Sequence, residues 1–290
     1  MASWLGYILL SAATLSLYDI CKKHSVAGNR AFTVLLITSA TGFAAAALAL
    51  IYAGSLARAI ALPPRDMALL AAKSMIVGAS WSFAYWALKT LPVTVMAPIR
   101  ATGPIWTTLA AVFVFAEVPS VVQAIGFLLA FSGCIAFSLA TRREGFSFRS
   151  PAIWLAILAT LFGAGSALYD KLLLNSLSLE PAVVLFWFMG GMGVIYLVAV
   201  LVTARLDSTP FVWRWSIPAV GVLLAASDFL YFTAISSPEA RISILSTIRR
   251  SSTIGTFLIG GALFREKNLL RKGLALVAIL AGVILLAAKR

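Results

Sequence analysis

The stretch VTVMAPIRATGPIWTTLAAVFVFAE, residues 93–117, is an apolar run that holds one arginine in its interior and ends on an acid. A helix needs about 20 mostly apolar residues to cross the hydrocarbon core of a bilayer, so this run predicts a membrane span. A second run, ISILSTIRRSSTIGTFLIGGALFRE at residues 242–266, repeats its pattern. Ile99-Arg100 in the first run corresponds to Ile248-Arg249 in the second, at an offset of 149 residues. Together the two runs indicate a membrane protein built by duplication.

Further pairs of matching motifs extend the duplication across the chain. They recur at offsets between 146 and 151 residues, which small loop insertions explain. Since ionisable residues are rare in apolar runs, their recurrence in the same order is a specific signal. We therefore predict a first five-helix repeat at residues 1–145 and a second at residues 146–290. The matching pairs are Tyr18-Asp19 with Tyr169-Asp170, Ser82-Phe83-Ala84-Tyr85 with Asp228-Phe229-Leu230-Tyr231, Phe115-x-Glu117 with Phe264-x-Glu266, and Gly133 with Gly282.

The composition excludes an ordinary soluble domain. Of all residues, 61% are hydrophobic and only 11% are charged, whereas soluble domains carry about 25% charged residues. We predict an all-α integral membrane protein with ten transmembrane helices, arranged as an inverted repeat of two five-helix halves. The repeat is inverted because five is an odd number of spans, so the second half crosses in the opposite sense. The predicted spans are residues 3–23, 31–53, 67–88, 93–115, 120–140, 151–174, 181–203, 214–235, 241–264 and 268–288.

Basic residues in the loops predict the orientation. Thirteen lie on one side of the ten-span arrangement and five on the other, which places the larger set in the cytoplasm and both termini outside. Lys22 and Lys23 belong to the larger set, although they could line a vestibule instead. The first apolar segment lacks a basic leader and a cleavage site, so we expect a retained span. We expect a multi-pass protein of a bacterial inner membrane.

Several function classes find no support in the sequence. The net charge of +13 lies in short breaks between apolar runs, so we expect no nucleic-acid partner. Cys21, Cys134 and His24 form no ligand pattern, so no metal or cofactor is expected. The sequence contains no Walker A loop, so we do not expect an ATPase. It also contains no Ser/His, Cys/His or paired-carboxylate arrangement that would indicate another enzyme. We expect the lipid bilayer and a small-molecule substrate as partners, and a homodimer stays open.

The order of prolines, glycines and acids in both halves resembles the EamA-type drug/metabolite transporter superfamily. The resemblance covers the whole chain, and its motifs become specific because they recur in order. It implies a ten-helix bundle with a central cavity and alternating access. Superfamily members export amino acids, other metabolites or drugs, and relatives in organelles exchange sugar phosphates and nucleotide sugars. The residues that carry the resemblance are Pro98, Gly103, Pro104, Phe115-Ala116-Glu117, Gly126 and Gly133, then Gly255, Phe264-Arg265-Glu266, Gly273 and Gly282.

Ionisable residues inside or at the margins of predicted spans form the candidate site. A basic side chain at mid-membrane costs about 2.5–3.5 kcal/mol, so it persists where it faces a cavity or a partner. Five bases against three acids leave a net charge of +2, which favours an anionic cargo. The bases are Lys73, Arg100, Lys171, Arg249 and Arg250, and the acids are Asp19, Asp170 and Asp228.

Two polar stripes at helical spacing would bring the arginines together. A kink at Pro104 would open backbone groups of span 4 to the cavity. In an inverted repeat the stripes approach each other, so three guanidinium groups converge on one chamber. In the sugar-phosphate branch of the superfamily that the chain resembles, basic residues on spans 4 and 9 hold phosphate. The stripes are Ser246, Arg249, Arg250 and Thr253 on span 9, and Arg100, Gly103, Pro104 and Thr107 on span 4.

Each of these charges also has a structural interpretation. The arginines could pair with Asp228 or another acid and act only as interior struts. Lys171 and Lys73 could snorkel to the membrane surface. Asp19 and Asp170 are candidates for gating or proton coupling, and the alternative is pairing with a lysine close in sequence.

Aromatic residues on spans 3 and 8 are candidates to hold the organic part of a substrate. Trp81, Tyr85 and Tyr231 could stack on a planar or apolar portion, or they could serve ordinary packing. Asp228 could contact the substrate or a coupling ion. Glu266, at the end of span 9, is expected to cap a helix or pair with loop bases.

We therefore interpret the chain as a secondary transporter of a small organic metabolite, anionic or zwitterionic, that carries phosphate or carboxylate. The alternative within transport is an amino-acid or drug exporter with structural arginines. From other classes, a channel and an intramembrane enzyme stay open. Saturable counterflow would favour a carrier over a channel, and product formation without a change of compartment would favour an enzyme.

Overall fold

A computed structural model describes residues 3–103, 105–106, 120–142, 149–203, 208–237, 245, 248–266 and 268–286. Within these residues the secondary structure is helical throughout. A π-helical turn, Leu172–Ser176, continues the seventh helix. The helices are α1 Ser3–Val26, α2 Ala31–Tyr52, α3 Leu56–Ile60, α4 Pro64–Thr90, α5 Val93–Ala101, α6 Val121–Arg142, α7 Pro151–Lys171, α8 Pro181–Thr203, α9 Ser216–Ile235, α10 Ser252–Leu263 and α11 Leu269–Leu286.

Within the described ranges, six helices are long and apolar enough to cross a bilayer, and they lie at six of the predicted spans. These are α1, α2, α4, α7 with its π-helical turn, α8 and α9. Helices α6 and α11 lie at predicted spans 5 and 10, while α5 and α10 form parts of predicted spans 4 and 9. The all-helical membrane fold is therefore confirmed, and the number of ten spans stays a prediction. The short helix α3, between the second and third spans, was not predicted.

The helices of the two halves pack on each other in a symmetric pattern. Helix α1 packs against α9 and α10, just as α7, five spans later, packs against α4 and α5. Helix α2 packs on α8, α5 on α10 and α6 on α11, each pair joining equivalent spans of the two halves. Exchanging the first five spans with the last five therefore maps every one of these contacts onto another or onto itself.

A similar break in the helix follows Arg100 at the end of α5 and Arg250 just before the start of α10. Thr102 Oγ1 donates a hydrogen bond to the carbonyl of Ile99 at 2.7 Å, and Ser251 Oγ donates to that of Ile248 at 2.6 Å. The backbone N–H groups of the same two residues bond the same carbonyls at 3.2 and 3.0 Å. Each hydroxyl thus competes with the regular helical pattern where its helix is interrupted. The predicted kink residue Pro104 lies outside the described residues.

Candidate functional site

A central cavity of about 150 Å³ lies between the two halves of the bundle. Its wall comes from α1, α4, α5, α7, α8 and α9 and from the turn at residues 248–250 that precedes α10. The polar and aromatic side chains that line it are Tyr18, Lys22, Lys73, Ser80, Trp81, Tyr85, Arg100, Thr160, Ser166, Asp170, Phe188, Asp228, Tyr231, Phe232, Arg249 and Arg250.

The three predicted arginines meet at this cavity. Arg100 comes from the last turn of α5, and Arg249 and Arg250 come from the turn that precedes the break at Ser251. Arg100 and Arg249 occupy equivalent positions of the two predicted repeats, and each lies next to the same kind of helix break. The convergence expected from the two stripes is present for their arginines.

Ion pairs neutralise the acids around the cavity. Arg249 donates to Asp228, and Lys73 donates to Asp170. Asp19 accepts from both Arg100, at 2.5 Å, and Lys22, at 2.7 Å. Asp170 therefore pairs with a lysine from another helix and not with its neighbour Lys171, which is exposed.

Arg250 differs from the other arginines because it forms no ion pair with any residue in the described part of the chain. Its guanidinium rests against the end of α5, where a Cβ on Gly103 would lie 2.8 Å from Nη2. The side chains of Arg100 and Arg249 are close enough to repel it. Arg249 also keeps a free donor, since its Nε has no hydrogen-bond partner among the described residues.

The net charge of the cavity is positive, as predicted, although the charged residues that line it differ from the predicted set. Lys171 does not line it. Lys22, for which the sequence left a cytoplasmic loop and a vestibule open, is only 2% exposed and lines the cavity. Five bases, counting Lys22, line the cavity with Asp170 and Asp228, and Asp19 lies beside it, so the charges in and next to the cavity again give 5 − 3 = +2. The sequence signal for Lys22 was its position three residues after Asp19, which puts both side chains on one helical face.

Aromatic rings cover the cations. Arg249 Cζ lies 3.9 Å from the centre of the Tyr231 ring, and Lys73 Nζ lies 4.9 and 5.2 Å from the rings of Phe188 and Phe232. A ring face attracts a nearby cation and shields it from apolar surroundings. The predicted Trp81, Tyr85 and Tyr231 all line the cavity.

Some predicted site residues lie elsewhere. Thr253 is buried within α10 and does not line the central cavity. Asp19 lies beside this cavity, in a small pocket of about 10 Å³ that shares Lys22 and Arg100 with it. Thr107 and Ser246 lie outside the described residues.

Hydrogen bonds link the two halves of the chain at the end of the bundle at which α1 and α4 finish. The Glu266 carboxylate accepts from the backbone N–H groups of Val93, at 2.9 Å, and Thr94, at 3.0 Å, and so caps the start of α5. The Lys23 ammonium donates to the carbonyls of Leu88 and Leu91 at 2.8 and 2.6 Å. The connection between α4 and α5 is thereby tied to both halves, and Glu266 acts as the cap that its position suggested.

Comparison with known proteins supplies two findings. The model of the EamA-like transporter family matches residues 2–139, the first predicted repeat. A solved structure titled "Crystal structure of protein" has a TM-score of 0.67 and 16% sequence identity, and covers 96% of this chain and 93% of its own. At that identity the likeness shows a shared fold alone. No curated protein matches the chain.

Proposed function

This chain belongs to the EamA-like transporter family, and we propose that it carries a small organic anion or zwitterion, bearing phosphate or carboxylate, by alternating access. The family makes it a multi-pass membrane transporter and not an enzyme. The substrate class is inferred from the cavity, because folds of this kind serve many cargoes. The observation that carries the proposal is the meeting of three arginines, two of them repeat-equivalent, at one cavity with a net charge of +2.

Charge favours an anion over a cation. Burying an arginine without a partner is costly, and Arg250 has no acid in contact within the described residues. A carboxylate or phosphate can accept two parallel hydrogen bonds from a guanidinium, which restores the interactions that water otherwise supplies. The free Nε of Arg249 offers a further donor to the same ligand.

The aromatic lining favours an organic cargo over a bare inorganic ion. Trp81 and Tyr85 on α4 and Tyr231 on α9 share the cavity with the arginines. Their rings offer apolar and π surface to the part of the substrate that carries no charge. An anionic group at the arginines would therefore leave the remainder of the molecule against rings.

The packing of the helices supports alternating access. Each half of the duplication supplies arginines to the cavity, and the helices that supply them are interrupted at equivalent positions. Rocking one half against the other would open the cavity to each side in turn, as in other repeat-built carriers. The ties made by Glu266 and Lys23 would hold one end shut.

Loop charges support a cytoplasmic location for that closed end. Lys22 and Lys272 belong to the larger set of thirteen loop bases, but both are buried. Without them, eleven basic residues remain on this side and five on the other. The excess of basic residues marks the cytoplasmic side. We propose a bacterial inner membrane as the location.

A second candidate is an amino-acid or drug exporter with structural arginines. It is favoured by the pairing of Arg100 with Asp19 and of Arg249 with Asp228, since a paired arginine can act as a strut. The unpaired Arg250 is the residue that separates the two candidates.

The test is a thermal-shift screen of the purified protein against phosphate monoesters, carboxylates, amino acids and organic cations, followed by counterflow in vesicles. We expect an organic anion to stabilise the protein and Arg250→Gln to remove that effect. Lys171→Gln, which removes an exposed base outside the cavity, is the matched control. Stabilisation by organic cations alone, or an unchanged response in Arg250→Gln, would overturn the anionic cavity.

A further inference from the structure

The segment before α9 is held in one position by the turn between α1 and α2. Residues 208–215, here called the strap, have no regular secondary structure up to the turn that starts α9. The Asn29 amide bonds the strap backbone twice, donating to the Val212 carbonyl at 2.7 Å and accepting from the Val212 N–H at 3.1 Å. Arg30 Nε donates to the Thr209 carbonyl at 2.5 Å. These bonds fix the strap against the first two helices.

One side of the strap is aromatic and exposed. Phe211, Trp213 and Trp215 alternate along it, and their side chains are 39%, 50% and 80% exposed. Their rings meet edge to face, with centroids 6.5 Å apart between Phe211 and Trp213 and 5.7 Å apart between the two tryptophans. Because Trp213 contacts both of the other rings, the three rings form one surface.

The residue between the two tryptophans is bound on the protein side. Arg214 Nη1 donates to the carbonyl of Ala27 at 2.8 Å and also to that of His24. Both carbonyls belong to the end of α1 and the turn after it. The strap thus has one side that binds protein backbone and one side that presents rings.

The aromatic surface continues into the outer face of α9. Trp215, Val222 and Phe229 are spaced seven residues apart, which places them on one face of the helix, and all three are exposed. In a membrane transporter the exposed apolar face of a spanning helix contacts lipid. The strap therefore extends a lipid-facing surface beyond the end of the span.

We infer that the aromatic side of the strap lies in the headgroup layer of the bilayer and fixes the depth of α9 and of the α1–α2 turn. Tryptophan prefers this layer because its ring is apolar and its N–H needs a polar partner. Only twelve residues separate α8 from α9, which keeps the strap close to the membrane boundary. The inference is independent of the transported substrate.

The test uses the full-length protein in vesicles of phosphatidylcholine and phosphatidylglycerol. Subtracting the fluorescence of the variant Trp213→Phe/Trp215→Phe from that of the parent protein isolates the emission of the two strap tryptophans. We expect phosphatidylcholine brominated on the upper acyl carbons to remove more than about half of this emission, and aqueous iodide to remove little. Trp81→Phe gives the matched control signal, because Trp81 lines the inner cavity and should not respond to brominated lipid.

Two outcomes would overturn the inference. Strong quenching by iodide with none by brominated lipid would place the strap in water, free for a soluble partner. Protection from both quenchers would mean that protein covers the rings, and cross-linking would then reveal a second copy on the strap. Because phenylalanine keeps the apolar ring, we expect the double variant to fold.

Discussion

The guanidinium of Arg250 occupies the space that a side chain at Gly103 would fill. A Cβ at residue 103 would lie 2.8 Å from Arg250 Nη2 and 3.1 Å from Cζ. Gly103 comes from the first half of the chain and Arg250 from the second. The position of this cation, which has no ion pair with the described residues, therefore depends on both halves. The predictions below start from this contact.

Gly103→Ala should weaken anion binding. The added methyl group would displace the Arg250 guanidinium, because Cβ atoms in real structures essentially never lie this close to another heavy atom. We expect the dissociation constant to rise about tenfold, which corresponds to about 1.4 kcal/mol. The measurement is the ligand concentration needed for half-maximal thermal stabilisation. Gly165→Ala is the control, since a Cβ there meets nothing within 4 Å; equal effects of the two substitutions would contradict the prediction.

Asp228→Asn should lower the stability of the empty protein and strengthen anion binding. The substitution removes the partner of Arg249, and losing a charged hydrogen bond costs about 2 kcal/mol. It also raises the net charge of the cavity from +2 to +3, which attracts an anion more strongly. The melting temperature with and without ligand measures both effects. A variant that is less stable and also binds anions less well would contradict the prediction and show that Asp228 positions Arg249 for the ligand.

The pair of Lys73 and Asp170 should behave as a strut. Its side chains are 2% and 7% exposed, so Lys73→Met alone leaves a buried carboxylate and should cost about 3–5 kcal/mol. The double variant Lys73→Met/Asp170→Leu removes one charge of each sign and should recover most of the stability. Because the net charge of the cavity stays at +2, we expect ligand-induced stabilisation to persist. Its loss in a well-folded double variant would identify Lys73 or Asp170 as a ligand-binding residue.

Glu266→Gln should loosen the closed end of the bundle. The amide accepts hydrogen bonds from the N–H groups of Val93 and Thr94 more weakly than a carboxylate does. We expect a loss of about 1 kcal/mol, the usual size of a helix cap, and faster labelling of a cysteine placed at Leu88. Glu180→Gln, which changes an exposed acid outside this network, should leave both measurements unchanged.

Doubly charged anions should stabilise the protein more than singly charged ones of similar size. Two positive charges stay uncompensated by the acids of the described residues, so each negative charge on the ligand would neutralise one of them. The comparison is a thermal-shift series of mono- and dicarboxylates at equal ionic strength. Equal stabilisation by both would show that only one cation binds the ligand. That cation would be Arg250, which has no ion pair among the described residues.

The sequence predicted the arginines of the site because they recur at equivalent positions of a duplicated pattern. Ile99-Arg100 and Ile248-Arg249 indicated the two helices that meet at the cavity, and the division at residue 145 stays a prediction that the symmetric packing supports. Thr253 was assigned to the same stripe on the assumption of an unbroken helix. The break at Ser251 ends that continuity, so the spacing rule stops applying there.

The pairings of Arg249 with Asp228 and of Asp19 with Lys22 are among those that the sequence offered. The partners of Asp170 and Arg100 depend on contacts between helices and could not be predicted. Asp170 was expected to pair with a lysine near it in sequence, but adjacent residues on a helix point about 100° apart. Lys171 accordingly faces outward, and Lys73 of α4 reaches Asp170 instead. Lys22 illustrates the converse, because its spacing of three from Asp19 keeps it on the inner face.

Two charges left uncompensated among the described residues would make the interior of the bundle respond to the membrane voltage. A charge that crosses a full potential of 100 mV changes energy by about 2.3 kcal/mol, and a partial displacement changes it in proportion. When the cavity opens to one side, its positive charges take on the potential of that compartment. The empty protein would therefore favour the conformation in which the cavity opens to the electrically negative compartment. A cargo that carries two negative charges would cancel this bias, so only the empty protein would prefer one conformation under voltage.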